Sequence, residues 1–105
     1  MTRVYGIKTC DTCRKAVKAL GADLRDVRAE PLSSEEITRF VGAFGAALVN
    51  TRSTTWRGLD EAERSLDPSA LIAAHPTVMK RPVIERDGQL YLGWGKDVQA
   101  ALGVA

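Results

Sequence analysis

Cys10-Asp11-Thr12-Cys13 is the segment whose residue types and spacing could do covalent chemistry. A cysteine reacts as its thiolate, and an unperturbed thiol has a pKa of about 8.5, so a reactive one needs positive charge beside it. The segment falls where a strand ends and a helix begins, and the unpaired N–H groups of a helix start favour negative charge. Lys8, Arg14 and Lys15 are close in sequence and push the same way, while Asp11 pushes back. A lowered Cys10 pKa is therefore expected. The two thiols are not equivalent. Cys10 precedes the apolar helix face and can project from the loop as the nucleophile. Cys13 begins that face and points partly inward, either as a resolving thiol or as a small buried hydrophobe.

Other chemistries find little support. A zinc site takes four ligands, commonly a second C-x-x-C or a histidine pair. This chain has two cysteines and one histidine, so no intrachain metal site is expected. His75 precedes Pro76 and reads as a helix-end residue. Trp56 and Trp94 read as packing or partner-surface residues. Gly93-Trp94-Gly95 lacks the helix and acidic follow-up of a dinucleotide fingerprint.

The elements that must hold the thiols follow from periodicity. Arg3 to Ile7 reads as a strand running into a loop. Cys13, Ala16, Val17 and Leu20 fall at i, i+3, i+4 and i+7, one face of a helix that stops at Gly21. Leu24 to Arg28 reads as a second strand. Ser33 and Glu36 form a capping box ahead of Ile37, Phe40, Val41 and Phe44, again at helical spacing. Asp67-Pro68 marks another helix start, carrying Leu71 and Ile72 and ending before Pro76. Pro82–Arg86 and Gln89–Leu92 read as a hairpin turned by Asp87-Gly88. Val98, Ala101 and Leu102 belong to a closing helix. A strand–helix–strand start suggests a parallel pair, and the hairpin adds antiparallel strands. The expected fold is α/β: a thioredoxin-like (glutaredoxin-like) mixed four-stranded sheet.

A chain of 105 residues fits one domain, here 1–105. With 45% hydrophobic and 27% charged residues it has the balance of a globular protein rather than a disordered one. The net charge of +2 is too small to suggest direct nucleic-acid binding. Residues 1–28 nevertheless carry seven basic side chains against three acidic ones, as a surface favouring anions or thiolates would. No apolar run reaches the ~20 residues of a membrane span, and no secretory signal follows Met1. A cytoplasmic location is expected, where cysteines are kept reduced.

Three blocks carry a resemblance: Tyr5-Gly6-Ile7-Lys8-x-Cys10-Asp11-Thr12, Asn50-Thr51-Arg52-Ser53-Thr54-Thr55-Trp56-Arg57-x-Leu59, and Lys80-Arg81-Pro82-Val83. Together they resemble the arsenate-reductase (ArsC) family, and most of all its YffB-type branch. Cys10-x-x-Cys13 with Thr51-Arg52-Ser53 is also similar to Spx-type transcriptional regulators. The resemblance implies a helical segment inserted at about 33–75, Cys10 as catalytic thiol, and Arg81-Pro82 as an oxyanion-binding arginine followed by a cis proline. Arsenate reductases resemble one another in presenting three arginines to the thiol. Here the first position aligns near Asn50, with Arg52 as a stand-in, and the third near Gly93, where no arginine stands.

The expected function is thus that of an arsenate-reductase-related thiol oxidoreductase. Cys10 attacks the electrophile, and Arg81, Arg52, Lys8 and Pro82 form the binding surroundings. No cofactor is expected to stay bound. Glutathione is the implied co-substrate, with glutaredoxin or thioredoxin as partner. The alternatives are a redox-sensing regulator that binds the RNA polymerase α subunit, and a glutathione-binding relative without arsenate turnover.

Overall fold

A computed structural model describes residues 1–104, and the chain divides into two compact units. The first comprises Met1–Glu30 and the chain from Arg81 onward. It holds β1 (Thr2–Gly6), α1 (Asp11–Leu20), β2 (Asp23–Asp26), β3 (Val83–Arg86), β4 (Gln89–Leu92) and, last, a helix at Lys96–Ala101. The sheet order is β2-β1-β3-β4. β1 runs parallel to β2, with Val4 opposite Leu24, and antiparallel to β3, with Val4 opposite Ile84. β3 and β4 form the expected hairpin. Asp87 and Gly88 both take positive φ at its turn, 51° and 83°, as a two-residue turn of matching twist requires.

The core of this unit is built by alternation. Val4 and Ile84 face the same side of the sheet and pack with Ala16 of α1 and with Val98 and Leu102. Val17, Leu20, Leu24, Tyr91 and Trp94 close around them. α1 ends as its sequence requires, with Gly21 in the left-handed region at φ 59° donating its N–H to the Val17 carbonyl.

Gly6, at the end of β1, is needed for a different reason. A Cβ there would overlap the Cys13 sulfur, and Cys13 is wholly buried. Gly6→Ala should therefore destabilise the protein by about 1–3 kcal/mol, as overpacking of a filled core does. Urea unfolding should show this as a lower midpoint with an unchanged slope.

The second unit, Pro31–Lys80, is helical. α2 (Ser34–Phe44) opens on the capping box: the Glu36 N–H donates to Ser33 Oγ at 3.1 Å, and the Ser33 N–H donates to Glu36 Oε1 at 2.8 Å. Ser33→Ala should cost about 1 kcal/mol, read as a lower thermal midpoint. Two one-turn helices follow, α3 (Thr54–Arg57) and α4 (Glu61–Arg64), capped by Ser53 and Asp60. α5 (Pro68–Ala74) starts at Asp67 and packs on α2, burying Ile37, Phe40, Leu71 and Ile72. The closing helix of the first unit is α6.

His75 ends α5 and places Nε2 2.7 Å from Glu63 Oε2. The guanidinium of Arg64 lies over the Trp56 ring, 5.5 Å from its centre. Among the described residues, no helix is long and apolar enough to cross a membrane.

Candidate functional site

Strand β1 delivers the chain to the site, and α1 carries it away. Between them the backbone turns at Ile7–Cys10, where the Cys10 N–H donates to the Ile7 carbonyl at 3.0 Å. Cys10 is the N-cap of α1, with extended backbone (φ −83°, ψ 120°), and its own carbonyl accepts the Arg14 N–H at 3.0 Å. The thiol therefore sits at the positive end of the α1 dipole and is partly exposed.

The β1–β3 register brings in the second component. Tyr5 lies opposite Val83 in an antiparallel pair, so the residues just before Val83 run beside those just after Tyr5. Arg81 and Pro82 thus reach the loop that carries Cys10. The Arg81-Pro82 peptide is cis, as the resemblance implies, Pro82 is buried, and its carbonyl accepts the Gly93 N–H at 2.8 Å.

Charge at this point favours one thiolate and forbids the other. Partial burial alone would raise the Cys10 thiol. It is outweighed by the Cys13 N–H, the Cys13 thiol and the hydrogen-bonded, positively charged Arg81 guanidinium, and the net effect lowers the Cys10 pKa. The sulfur makes no close capping hydrogen bond, so this is stabilisation by several donors facing it rather than by one tight contact. Burial pushes the Cys13 thiol up to about 12, the Cys10 thiolate beside it adds to the rise, and the Ile7 N–H and Arg81 oppose it. Cys13 stays protonated and donates, and Cys10 is the thiol that ionises more readily. The lowering expected for Cys10 is present, but its cation is Arg81, far away in sequence.

One contributor was not anticipated. Asp26, at the end of β2, accepts the Lys8 N–H on Oδ2 at 3.0 Å and the N–H groups of Arg28 and Ala29 on Oδ1 at 2.9 and 3.0 Å. The Lys8 N–H, joined by those of Ala29 and Arg28 and by the Arg28 charge, holds its carboxyl below the usual carboxylate range against the opposing effect of desolvation. Arg28 adds a bond from its guanidinium to Thr9 Oγ1 at 3.4 Å. Asp26 thereby pins the loop ahead of Cys10. The available signal was an Asp followed two and three residues later by free N–H groups, the pattern of an Asx turn.

Of the residues expected in the site, Cys10, Cys13, Arg81 and Pro82 come together in the first unit. Lys8 is on the same loop, with an exposed side chain and a backbone N–H held by Asp26. Arg52 belongs to the second unit, where it is exposed and its N–H donates to Asn50 Oδ1 at 3.0 Å.

A sequence profile of the ArsC family matches residues 5–102. The chain belongs to the ArsC family. An uncharacterised family relative from Haemophilus influenzae is 44% identical over 96% of this chain and 98% of its own length. The global transcriptional regulator Spx of Bacillus subtilis is 29% identical over 92% of this chain and 82% of its own. Among solved structures, a YffB protein superposes over 100% of both chains with a TM-score of 0.84 and 33% identity. An arsenate reductase (ArsC)-related protein from Brucella melitensis gives 0.71 and 35%, covering 97% of this chain and 94% of the other. These likenesses make the thioredoxin-like class of the mixed sheet an ArsC-family feature.

Proposed function

We propose that this ArsC-family chain is a thiol oxidoreductase in which Cys10 is the nucleophile and glutathione the reductant. The observation that carries this reading is the Cys10 sulfur at the start of α1, its negative charge supported by Cys13 and Arg81 and its surface partly open. A thiolate so placed attacks an electrophilic sulfur or arsenic. With arsenate, the sulfur bonds to arsenic as one oxygen leaves as water. Two electrons then come from thiols, which end as a disulfide while arsenic(V) becomes arsenic(III). Arg81 supplies positive charge for the oxyanion. With a mixed glutathione disulfide, Cys10 takes one sulfur and releases the other as thiolate. Glutaredoxin or thioredoxin returns the protein to its reduced state.

The test is turnover with arsenate, or with a glutathionylated peptide, in the presence of glutathione and glutaredoxin, for wild type and Cys10→Ser. Cys10-dependent turnover of either supports the proposal. Activity indifferent to Cys10, or absent with both substrates, refutes it.

A second reading is a redox-sensing regulator that binds the RNA polymerase α subunit. It is favoured by the Spx relatives and by the facing of the Cys13 thiol onto Cys10, the pair that would oxidise. Capture of the α subunit that changes between reduced and oxidised protein would favour it over the enzyme.

A further inference from the structure

Cations other than Arg81 also lie near Cys10 along the chain. Lys8, Arg14, Lys15 and Lys18 are all exposed, and among the described residues none of the four is held in a side-chain ion pair. At 3.6 residues per turn, Arg14, Lys15 and Lys18 share an arc of about 100° on α1, opposite the buried Cys13 and Ala16. Arg14 stands one turn beyond Cys10, and Lys8 lies on the other side of the thiol, on the loop that Asp26 pins. Arg28, bonded to Thr9, extends the same basic surface, and Asp11 is the acidic residue on this face of α1.

These four side chains are not what lowers the Cys10 pKa. After the opposing effect of burial, that is done by Cys13 and Arg81. Four exposed cations beside a nucleophile, with Asp11 as their acidic neighbour, leave this face net positive, which attracts anionic groups. From Cys10 to Lys18 the helix rises about 12 Å, more than a small dianion can bridge. A row of carboxylates on a polypeptide covers it.

We propose that the exposed face of α1, with Lys8, docks an acidic polypeptide that presents a disulfide to Cys10. This rests on the reading of Cys10 as a nucleophile and adds the class of its partner. The Cys10 thiolate forms a bond to one sulfur of that disulfide. The disulfide bond breaks, and the second sulfur leaves as thiolate, taking its proton from water. No outside oxidant or reductant is needed. Attraction between the two surfaces raises the encounter rate, and salt screens it.

The test uses the full-length reduced protein and three synthetic peptides. Each is closed by the same Cys-Gly-Pro-Cys disulfide and flanked by glutamates, serines or lysines. Second-order rate constants for mixed-disulfide formation are read by acid quench and mass spectrometry. At low ionic strength the glutamate peptide should react about tenfold or more faster than the serine peptide, and the lysine peptide slower than both. The spread should collapse near 1 M salt, where the screening length is about 3 Å. In the double variant Lys15→Glu, Lys18→Glu, the rates relative to the serine peptide should reverse order.

Equal rates for the three peptides at low salt would overturn the docking surface and leave the nucleophile standing. Oxidised glutathione matching the glutamate peptide in rate and salt dependence would also overturn it, by assigning the cations to small anions. Failure of Cys10 to attack any of the disulfides would remove both this inference and the function proposed above.

Discussion

Cys10→Ser is expected to abolish the fast alkylation of the native protein by iodoacetamide at pH 7, leaving only what unfolding of the buried Cys13 allows. The reason is the unequal sharing of charge between the two thiols. Cys10 is partly exposed and ionises more readily than an ordinary cysteine, whereas Cys13 is fully covered and its thiol is raised to about 12. Only the thiolate is alkylated, so at pH 7 one sulfur reacts and the other does not. Replacing Cys13 tests how the pair works. Cys13→Ser keeps a hydroxyl donor for the Cys10 thiolate and should retain most of the rate. Cys13→Ala removes the donor and should slow labelling severalfold. Mass mapping of the labelled residue decides the matter. Label found first on Cys13 would reverse the assignment of nucleophile.

Arg81→Ala should move the alkylation midpoint of Cys10 to higher pH and lower its rate at pH 7, by roughly tenfold for the loss of a nearby, partly screened positive charge. The sign follows from linkage. Arg81 favours the anion, so removing it favours the protonated thiol, and a smaller fraction is ionised at any pH below the new midpoint. A second signature separates this from mere structural damage. Intrinsic nucleophilicity falls as a thiol becomes more acidic, with a Brønsted slope of about 0.4–0.5. The variant should therefore be slower at pH 7 and equal or faster on its alkaline plateau, so the two pH–rate curves cross. Arg81→Lys should fall between them, keeping a point charge without the planar donor fork. A uniform drop in rate across all pH values would argue against electrostatic control.

How much of this could be read in the residues depended on distance along the chain. α1 was legible because its apolar positions repeat at helical spacing and Gly21 supplies the left-handed stop. The capping box of α2, the Asp67-Pro68 start of α5 and the Asp87-Gly88 hairpin were equally plain, since each is a local rule with a local signal. The second strand lies at Asp23–Asp26, one residue before the expected Leu24 and two short of Arg28. There the chain leaves the sheet so that Asp26 can turn and grip three N–H groups. The one-turn helices α3 and α4 were missed because four residues cannot display a period, and each is fixed by a single capping side chain. At the site, the thiol and its unequal partner were legible from the position of Cys13 on the apolar face. The source of the positive charge was not. Lys8, Arg14 and Lys15 are near in sequence, yet the group that acts on the sulfur is Arg81, delivered by the pairing of β1 with β3.

That pairing also bears on the order in which the protein is made. The first unit is discontinuous: the segment bearing Cys10 is complete at residue 30, and its partner strand begins only after the fifty residues of Pro31–Lys80 have been synthesised. Contacts that join such distant segments must wait for the later one. Until that strand pairs, Cys10 has Cys13 beside it but lacks the Arg81 guanidinium that favours its anion, so its thiolate is less well supported than in the folded unit. Full electrostatic support of the nucleophile thus depends on an arginine 71 positions further along the chain.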